Sequence, residues 1–333
     1  MDLKLIKEVA SYYGTEVVSC LGGFFQNVYH IKDREREYVL KGQLAEHTSY
    51  RKLQSELIWM QTLRESGMSV PEHIPTLNGE RIVKVRDQEK VYFFVAFAKA
   101  KGSIVSPKLW NSEYFELWGR ALGKMHAAAS VFKEPDEEFE LPHWSTSPDF
   151  LAIHESFDPE IFDIYQEMVS YSTTLPVSNM TFGIIHNDFH HNNFLVHKDK
   201  GVPINFGDAQ YNYYFYDLAV SIYHTVHSIR TSQDPSSFLV TFLTHFFKGY
   251  QSEHCRIEQF GDWIEQLHPF LAYRRMYSYE YMQLYLSVEK KREHQSYFHK
   301  MKQDILTQSP VLEYPNSFFE RIMDEVSKKE RGV

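Results

Sequence analysis

Residues 183–209 read GIIHNDFHHNNFLVHKDKGVPINFGDA. The apolar pair Ile184-Ile185 leads into His186-Asn187-Asp188, and Asn193 follows five residues after Asp188. A hairpin is expected next, with Phe194 to Val196 and Ile204 to Phe206 as its arms and Asp199-Lys200-Gly201 as its turn. Such a hairpin brings Asn205-Phe206-Gly207-Asp208 back beside Asp188, so polar groups at the ends of two short strands converge. Asp188 is a candidate base for a hydroxyl proton. Asn193, Asn205 and Asp208 supply the oxygen ligands that suit a hard cation such as Mg²⁺. A group that orients the nucleophile, together with metal ions on nucleotide phosphates, is what phosphoryl transfer requires.

His186-x-Asp188, then Asn193, then Asn205-Phe206-Gly207 resembles the catalytic and metal-binding loops of eukaryotic-like kinases. In detail it resembles the aminoglycoside phosphotransferase group, which includes choline, homoserine and methylthioribose kinases. That group's pattern runs H-G-D-L-H-x-x-N, then I-D-F-D-D-A, then Y-D-L-A. This chain carries His186 to Leu195, Ile204 to Ala209 and Tyr216-Asp217-Leu218-Ala219 at the matching places. The group's preceding helix, ending L-G-x-[LM]-H, is matched by Leu122-Gly123-Lys124-Met125-His126.

The resemblance extends to the N-terminal part. Leu21-Gly22-Gly23-Phe24-Phe25-Gln26-Asn27 stands where the group has its nucleotide loop, and glycines there allow close backbone approach to phosphate. The resemblance implies that Lys41 holds the α/β-phosphates and that Glu56, on a helix, pairs with it. It makes Val95-Ala96-Phe97-Ala98 a hinge where the backbone of Ala96 and Ala98 reads an adenine edge. His186 and Asp217 are structural supports that fix the catalytic-loop backbone by packing and hydrogen bonding. The implied fold is α+β and bilobal, protein-kinase-like: residues 1–98 form a nucleotide-binding N-lobe with a five-stranded antiparallel sheet. Residues 99–333 form a mainly helical C-lobe with the catalytic loop and acceptor pocket. The implied reaction is phosphorylation of a small-molecule hydroxyl, with ATP (or GTP) and Mg²⁺.

Working outward, strands are expected up to Cys20-Leu21, over Asn27 to Ile31 and over Tyr38 to Lys41. A hairpin of Ile82 to Val85 with Val91 to Phe97 follows a helix from about Tyr50 to Gly67. Helical patterns cover Met1 to Gly14, Ser112 to Ser130, Phe150 to Tyr171, Asp217 to Ile229, Phe238 to Tyr250, Gln259 to Leu267 and Leu271 to Lys290. The acidic stretch Glu134 to Glu140 reads as a solvated loop.

Composition narrows the field. The chain has 333 residues and a formal net charge of −9, against the basic excess of a phosphate-contacting nucleic-acid protein. Aromatics at 16% give it the means to build a large core, which excludes global disorder. Two cysteines, Cys20 and Cys255, cannot form a disulfide framework or a cysteine-based zinc site, which fits a cytoplasmic setting. No apolar run approaches a membrane span. His186, His190 and His191 have the order H-x-D-x-H-H, not the H-x-H-x-D-H of a metallo-hydrolase.

Two departures from the pattern matter. Asn205 replaces the usual metal-binding aspartate and lacks its charge, with Asp208 able to restore it directly or through water. That motivates the alternative of a catalytically weak or silent kinase-fold protein that binds a nucleotide or metabolite. Asn187 replaces a glycine, a milder change because asparagine tolerates left-handed angles. A protein kinase is disfavoured because only Gln210 to Phe215 separates Ala209 from Tyr216-Asp217, too short for a peptide platform. Tyr273, Tyr277, Tyr279, Tyr281 and Tyr285 read first as a core face, and Arg274-Arg275 as charges for an anionic acceptor. The acceptor itself and the oligomeric state stay open.

Overall fold

The structure, a computed structural model, describes residues 2–23, 26–135, 137–156, 158–229, 234–260 and 262–328. Phe24 and Phe25 of the expected nucleotide loop and Asp136 of the acidic stretch lie outside these residues.

Helix α1 (Leu3–Ser11) is started by Asp2, whose carboxylate accepts the Lys4 N–H at 3.1 Å, and buries Leu5, Ile6, Val9 and Ala10. Then come β1 (Glu16–Gly22), β2 (Val28–Lys32), β3 (Glu37–Leu44), α2 (Tyr50–Glu65), β4 (His73–Ile74), β5 (Val83–Asp87) and β6 (Lys90–Ala98). Among the described residues these strands make one six-stranded antiparallel sheet, in the order β1-β2-β3-β6-β4 with β5 also on β6. The sixth strand is β4, a two-residue edge too short to be read from periodicity. In β6 the apolar run is continuous because the strand is central and buried on both faces.

The chain leaves the sheet through Gly102, at φ 114, where a Cβ would lie 2.7 Å from the Val196 carbonyl. β7 (Ser103–Ile104) follows, then α3 (Ser112–Val131), α4 (Pro148–Ser156), α5 (Phe162–Thr174), β8 (Phe182–Ile185), β9 (Phe194–His197), β10 (Lys200–Pro203) and β11 (Gln210–Tyr213). The last elements are α6 (Tyr214–Ser228), α7 (Pro235–Gln251), α8 (Trp263–Tyr285), α9 (Val288–Glu293), α10 (Gln295–Leu306) and α11 (Asn316–Ser327). β7 pairs with β9, Ser103 opposite Val196, so the connection between the sheet and the helices is itself hydrogen-bonded.

Helices α3 and α7 meet backbone to backbone. A methyl on Gly119 would overlap the Phe246 carbonyl, one on Gly249 the Glu116 carbonyl, and one on Gly123 would sit 2.5 Å from the Tyr250 carbonyl. The crossing buries an aromatic cluster in which Trp118 packs against Phe189, Phe194, Phe242 and Phe246.

Several expectations are corrected. The arm facing β9 is β10, with Pro203 opposite Phe194; Ile204 to Phe206 are not its strand. Asn205 has φ 66, which no strand accommodates, and 206–208 form one 3₁₀ turn. Residues 210–213 are not a bare connection but a strand paired with β8, Gln210 opposite Ile185. The expected helix over Phe150 to Tyr171 is two helices, and Gln259 to Leu267 and Leu271 to Lys290 are largely one, α8, which runs through Pro269. The acidic stretch is tied down at its ends: Tyr211 donates to Glu134 at 2.6 Å and the Glu140 N–H donates to Ser55 at 2.7 Å.

Candidate active site

The expected catalytic loop hangs from Asp217, on α6 and fully buried. Its Oδ2 accepts the His186 N–H at 2.9 Å and its Oδ1 accepts the Asn187 N–H at 3.0 Å. His126 Nε2, from the end of α3, reaches Oδ2 at 3.3 Å, while its Nδ1 meets the Tyr250 hydroxyl at 2.8 Å. Burial lowers the His126 pKa against the opposing pull of Asp217. Asn187 sits at φ 68, with its side chain accepting from Gln210 Nε2 at 3.1 Å. His186 bridges the loop to the next segment: its Nδ1 accepts the Asp188 N–H at 3.4 Å and its Nε2 donates to the Ile204 carbonyl at 2.9 Å. Both expected supports thus touch loop backbone.

From Asp188 a single line of contacts runs across to β3. Asn193 Nδ2 donates to Asp188 Oδ2 at 3.0 Å and to the Asp188 carbonyl at 2.8 Å. Asn205 Nδ2 donates to Asn193 Oδ1 at 3.4 Å, and Lys41 Nζ donates to Asn205 Oδ1 at 3.3 Å. Four residues singled out in the sequence, spread over more than 140 positions, therefore form one chain of polar contacts. Glu56 is buried on α2 with its carboxylate beside Gly207, where Lys41 Nζ also lies. The lysine's hydrogen bond goes to Asn205; among the described residues no Lys41–Glu56 ion pair closes. Asp208 is exposed on the 3₁₀ turn, three residues beyond Asn205.

Of the nucleotide-loop residues, Asn27 reaches β3. Gly22 and Gly23 have φ of 108 and 83, and Asn27 Nδ2 donates to the Gly42 carbonyl at 2.8 Å, next to Lys41. The expected hinge residues Ala96 and Ala98 lie at the end of β6. Ala96 lies between Leu40 of β3 and Ile74 of β4, and the Ala98 N–H is donated to the Glu72 carbonyl at 2.7 Å. The Lys99 N–H likewise goes to the Glu37 carbonyl at 3.0 Å.

Sequence reasoning missed the groups behind Asp188. Arg274 of α8 donates from Nη2 to Asp188 Oδ1 at 2.8 Å and to His224 Nε2 at 3.0 Å, and from Nη1 to the Asn187 carbonyl at 3.3 Å. His190 Nε2 lies 3.3 Å from Asp188 Oδ2 and its ring stacks on His224, centroids 4.6 Å apart. His190 Nδ1 accepts the Asn192 N–H at 3.2 Å, which leaves the ring proton on Nε2, facing the carboxylate. Burial pushes the Asp188 carboxyl up, but the His190 contact and then the Arg274 charge outweigh it and hold it well below the carboxylate range. Burial, then the Arg274 charge, holds His224 well below the usual imidazole value, so it accepts from the guanidinium as a neutral ring. The Arg pair is split: Arg275 Nη2 donates to the Ser309 carbonyl, away from the loop. The only sequence signal was that pair of arginines on a helix.

Further along α8, Glu280 is buried and accepts the Asp158 N–H at 3.0 Å. Burial lifts its carboxyl to about 7. Of the tyrosine row, Tyr273 and Tyr279 are buried, whereas Tyr277, Tyr281 and Tyr285 are half-buried and run on in contact, centroids 6.0 and 4.6 Å apart.

The sequence profile described as "Phosphotransferase enzyme family" matches residues 17–254. The chain belongs to the phosphotransferase enzyme family. Within it, amicoumacin kinase of Bacillus subtilis (strain 168) is 27% identical over 283 residues, covering 83% of each chain. Among solved structures, amicoumacin kinase hAmiN in complex with AMP-PNP, Ca²⁺ and Ami superposes with a TM-score of 0.84 at 20% identity, over 96% of this chain and 97% of that one. A microcompartment-associated aminopropanol kinase gives 0.73 at 19% identity, over 92% and 98%. The GDP complex of an aminoglycoside 2'-phosphotransferase-IIIa gives 0.56 at 14%, again over 92% and 98%. The fold is thus that of the protein-kinase-like phosphotransferases, an antiparallel sheet followed by helices. The protein is a small-molecule kinase that acts on a hydroxyl acceptor. Among the described residues no helix is long and apolar enough to cross a membrane.

Proposed function

We propose that this family member transfers the terminal phosphoryl group of ATP to a hydroxyl of an amicoumacin-like small molecule in the cytoplasm, without a nucleic-acid or membrane partner. Residues 1–98 hold the nucleotide and residues 99–333 hold the acceptor. The observation that carries this reading is the line of contacts Asp188–Asn193–Asn205–Lys41. The likeness to the amicoumacin kinases, over 83% of this chain in sequence and 96% in fold, supports the choice of acceptor.

In this reading Asp188 orients the acceptor hydroxyl and takes its proton from the oxygen that attacks. Its low basicity fits a group whose main work is alignment, since phosphoryl transfer develops little charge on the nucleophile until late. Lys41, kept beside Gly207 with Glu56, neutralises phosphate charge. Gly22, Gly23 and Asn27 shape the loop that lies over the phosphates. Asn193, Asn205 and Asp208 offer an all-oxygen donor set, and an ammonium already rests on the Asn205 amide oxygen. That set fits Mg²⁺, which keeps several waters and takes few protein ligands. Bound there, the ion would screen the charge of the nucleotide phosphates.

Asp188→Ala should lower ADP release from Mg-ATP plus amicoumacin by roughly 10²–10⁴-fold. Binding of AMP-PNP should be unchanged by thermal shift. Full turnover by the variant removes Asp188 from the reaction. Release of ADP with 2-aminopropanol-type amino alcohols but not with amicoumacin would move the acceptor to the other kinase class.

A further inference from the structure

We propose that Arg274 is a positioning residue for Asp188, fixing both the backbone and the carboxylate of the base from a helix outside the catalytic loop. The inference rests on the reading of Asp188 given above. Arg274 is buried, and its Nη2 and Nη1 reach consecutive residues of the loop: the Asp188 carboxylate and the Asn187 carbonyl. A guanidinium presents its donors in a rigid planar fork, so two contacts made at once set an orientation, which the single point charge of a lysine does not.

The other partners limit where the carboxylate can turn. Oδ1 accepts from Arg274 and Oδ2 accepts from Asn193, and His190 Nε2 lies 3.3 Å from Oδ2. An ionised carboxylate has about four acceptor positions, so these contacts leave about one for an incoming hydroxyl. The Asp188 side chain remains 24% exposed, so that position is reachable. The guanidinium is itself held from two further sides. His224 Nε2 accepts from it at 3.0 Å, and its centre lies over the Tyr277 ring, 5.6 Å from the centroid. The neutral imidazole of His224 matters here, because it accepts a proton contact without adding a second positive charge. A base misplaced by about an ångström can cost about a hundredfold in rate, so the fixing of this carboxylate belongs to the chemistry and not to stability alone.

The deciding variant is Arg274→Lys, which keeps the buried charge while losing the fork. ADP release from Mg-ATP with amicoumacin, and the slower release with water as acceptor, should both fall about 30–300-fold in kcat. The KM for ATP and the AMP-PNP thermal shift should stay within about threefold of the parent. In Arg274→Ala, millimolar guanidinium added to the assay should restore part of the lost kcat. In an Asp188→Asn background, removing Arg274 should cost almost nothing more. A kcat for Arg274→Lys within threefold of the parent overturns the proposal, and so does an equal further loss in the Asp188→Asn background. Should Arg274→Ala not fold, Arg274→Lys with its kinetic split still decides. Full turnover by Asp188→Ala would instead overturn the reading of the base, a separate outcome.

Discussion

Asn205 differs from an aspartate by one group, an NH₂ where the acid has a second oxygen. Here that NH₂ donates to Asn193 and the remaining oxygen accepts from Lys41. Asn205→Asp replaces the donor by a charged acceptor and presents a carboxylate to both the lysine and the proposed Mg²⁺. Half-saturating Mg²⁺ for turnover should fall about tenfold, the equivalent of about 1.4 kcal/mol in binding. A magnesium titration of ADP release checks it, and an unchanged midpoint removes residue 205 from the metal site. Asp188, Asn193, Asn205, His186 and Asp217 were legible because one short stretch, plus one residue of the next helix, carries them in a fixed order. Lys41 was legible only through the family resemblance of the strand it sits on. Arg274 and His224 were not, because the contact joins residues 86 apart through tertiary packing, with no local pattern at either end. The left-handed angles of Asn187 and Asn205 explain why both positions take asparagine or glycine more easily than a branched residue.

Among the elements, the α3–α7 pair depends most on single residues. Gly249 lies in the last turn of α7, and within a helix alanine is ordinarily better by up to about 1 kcal/mol. Against the Glu116 carbonyl a methyl has no room, and neither backbone can retreat without opening the Trp118 cluster. Gly249→Ala should therefore destabilise by about 2–3 kcal/mol net, read as a lower urea midpoint at constant slope. A neutral or higher midpoint would show that the helices can separate freely. Gly123, which the sequence marked only as part of a motif, has the same packing reason. Element boundaries failed where local rules mislead. Pro269 reads as a break, yet it lies in the second turn of α8, where only one internal hydrogen bond is lost and Asp262 already caps the start. The strand Gln210–Tyr213 has polar and aromatic residues in alternation, which hides it among loops.

For the molecule as a whole, pH acts on stability through buried acids as well as exposed ones. Glu280 has its carboxyl raised to about 7 in the folded protein, chiefly by burial, against an ordinary value of 4.5. Folding thus favours its proton. The stability associated with it is fully present below the ordinary value and is lost as pH rises through about 7. Glu280→Gln should leave the urea midpoint little changed at pH 5 and raise unfolding stability by on the order of 2 kcal/mol at pH 8. Parallel curves for parent and variant over that range would contradict the assignment. The overall plan, sheet first and helices after, was readable from hydrophobic periodicity. The short ladders β7–β9 and β8–β11 that join its parts were not, since strands of two to four residues carry too little pattern.

Where α3 passes α7, main chain faces main chain, and three glycines leave no soft side-chain layer between them. A chimera built from this enzyme and a relative must therefore take both helices from one parent. Crossovers placed between residues 131 and 235 would join surfaces that never adapted to each other, however well the catalytic loop itself were preserved.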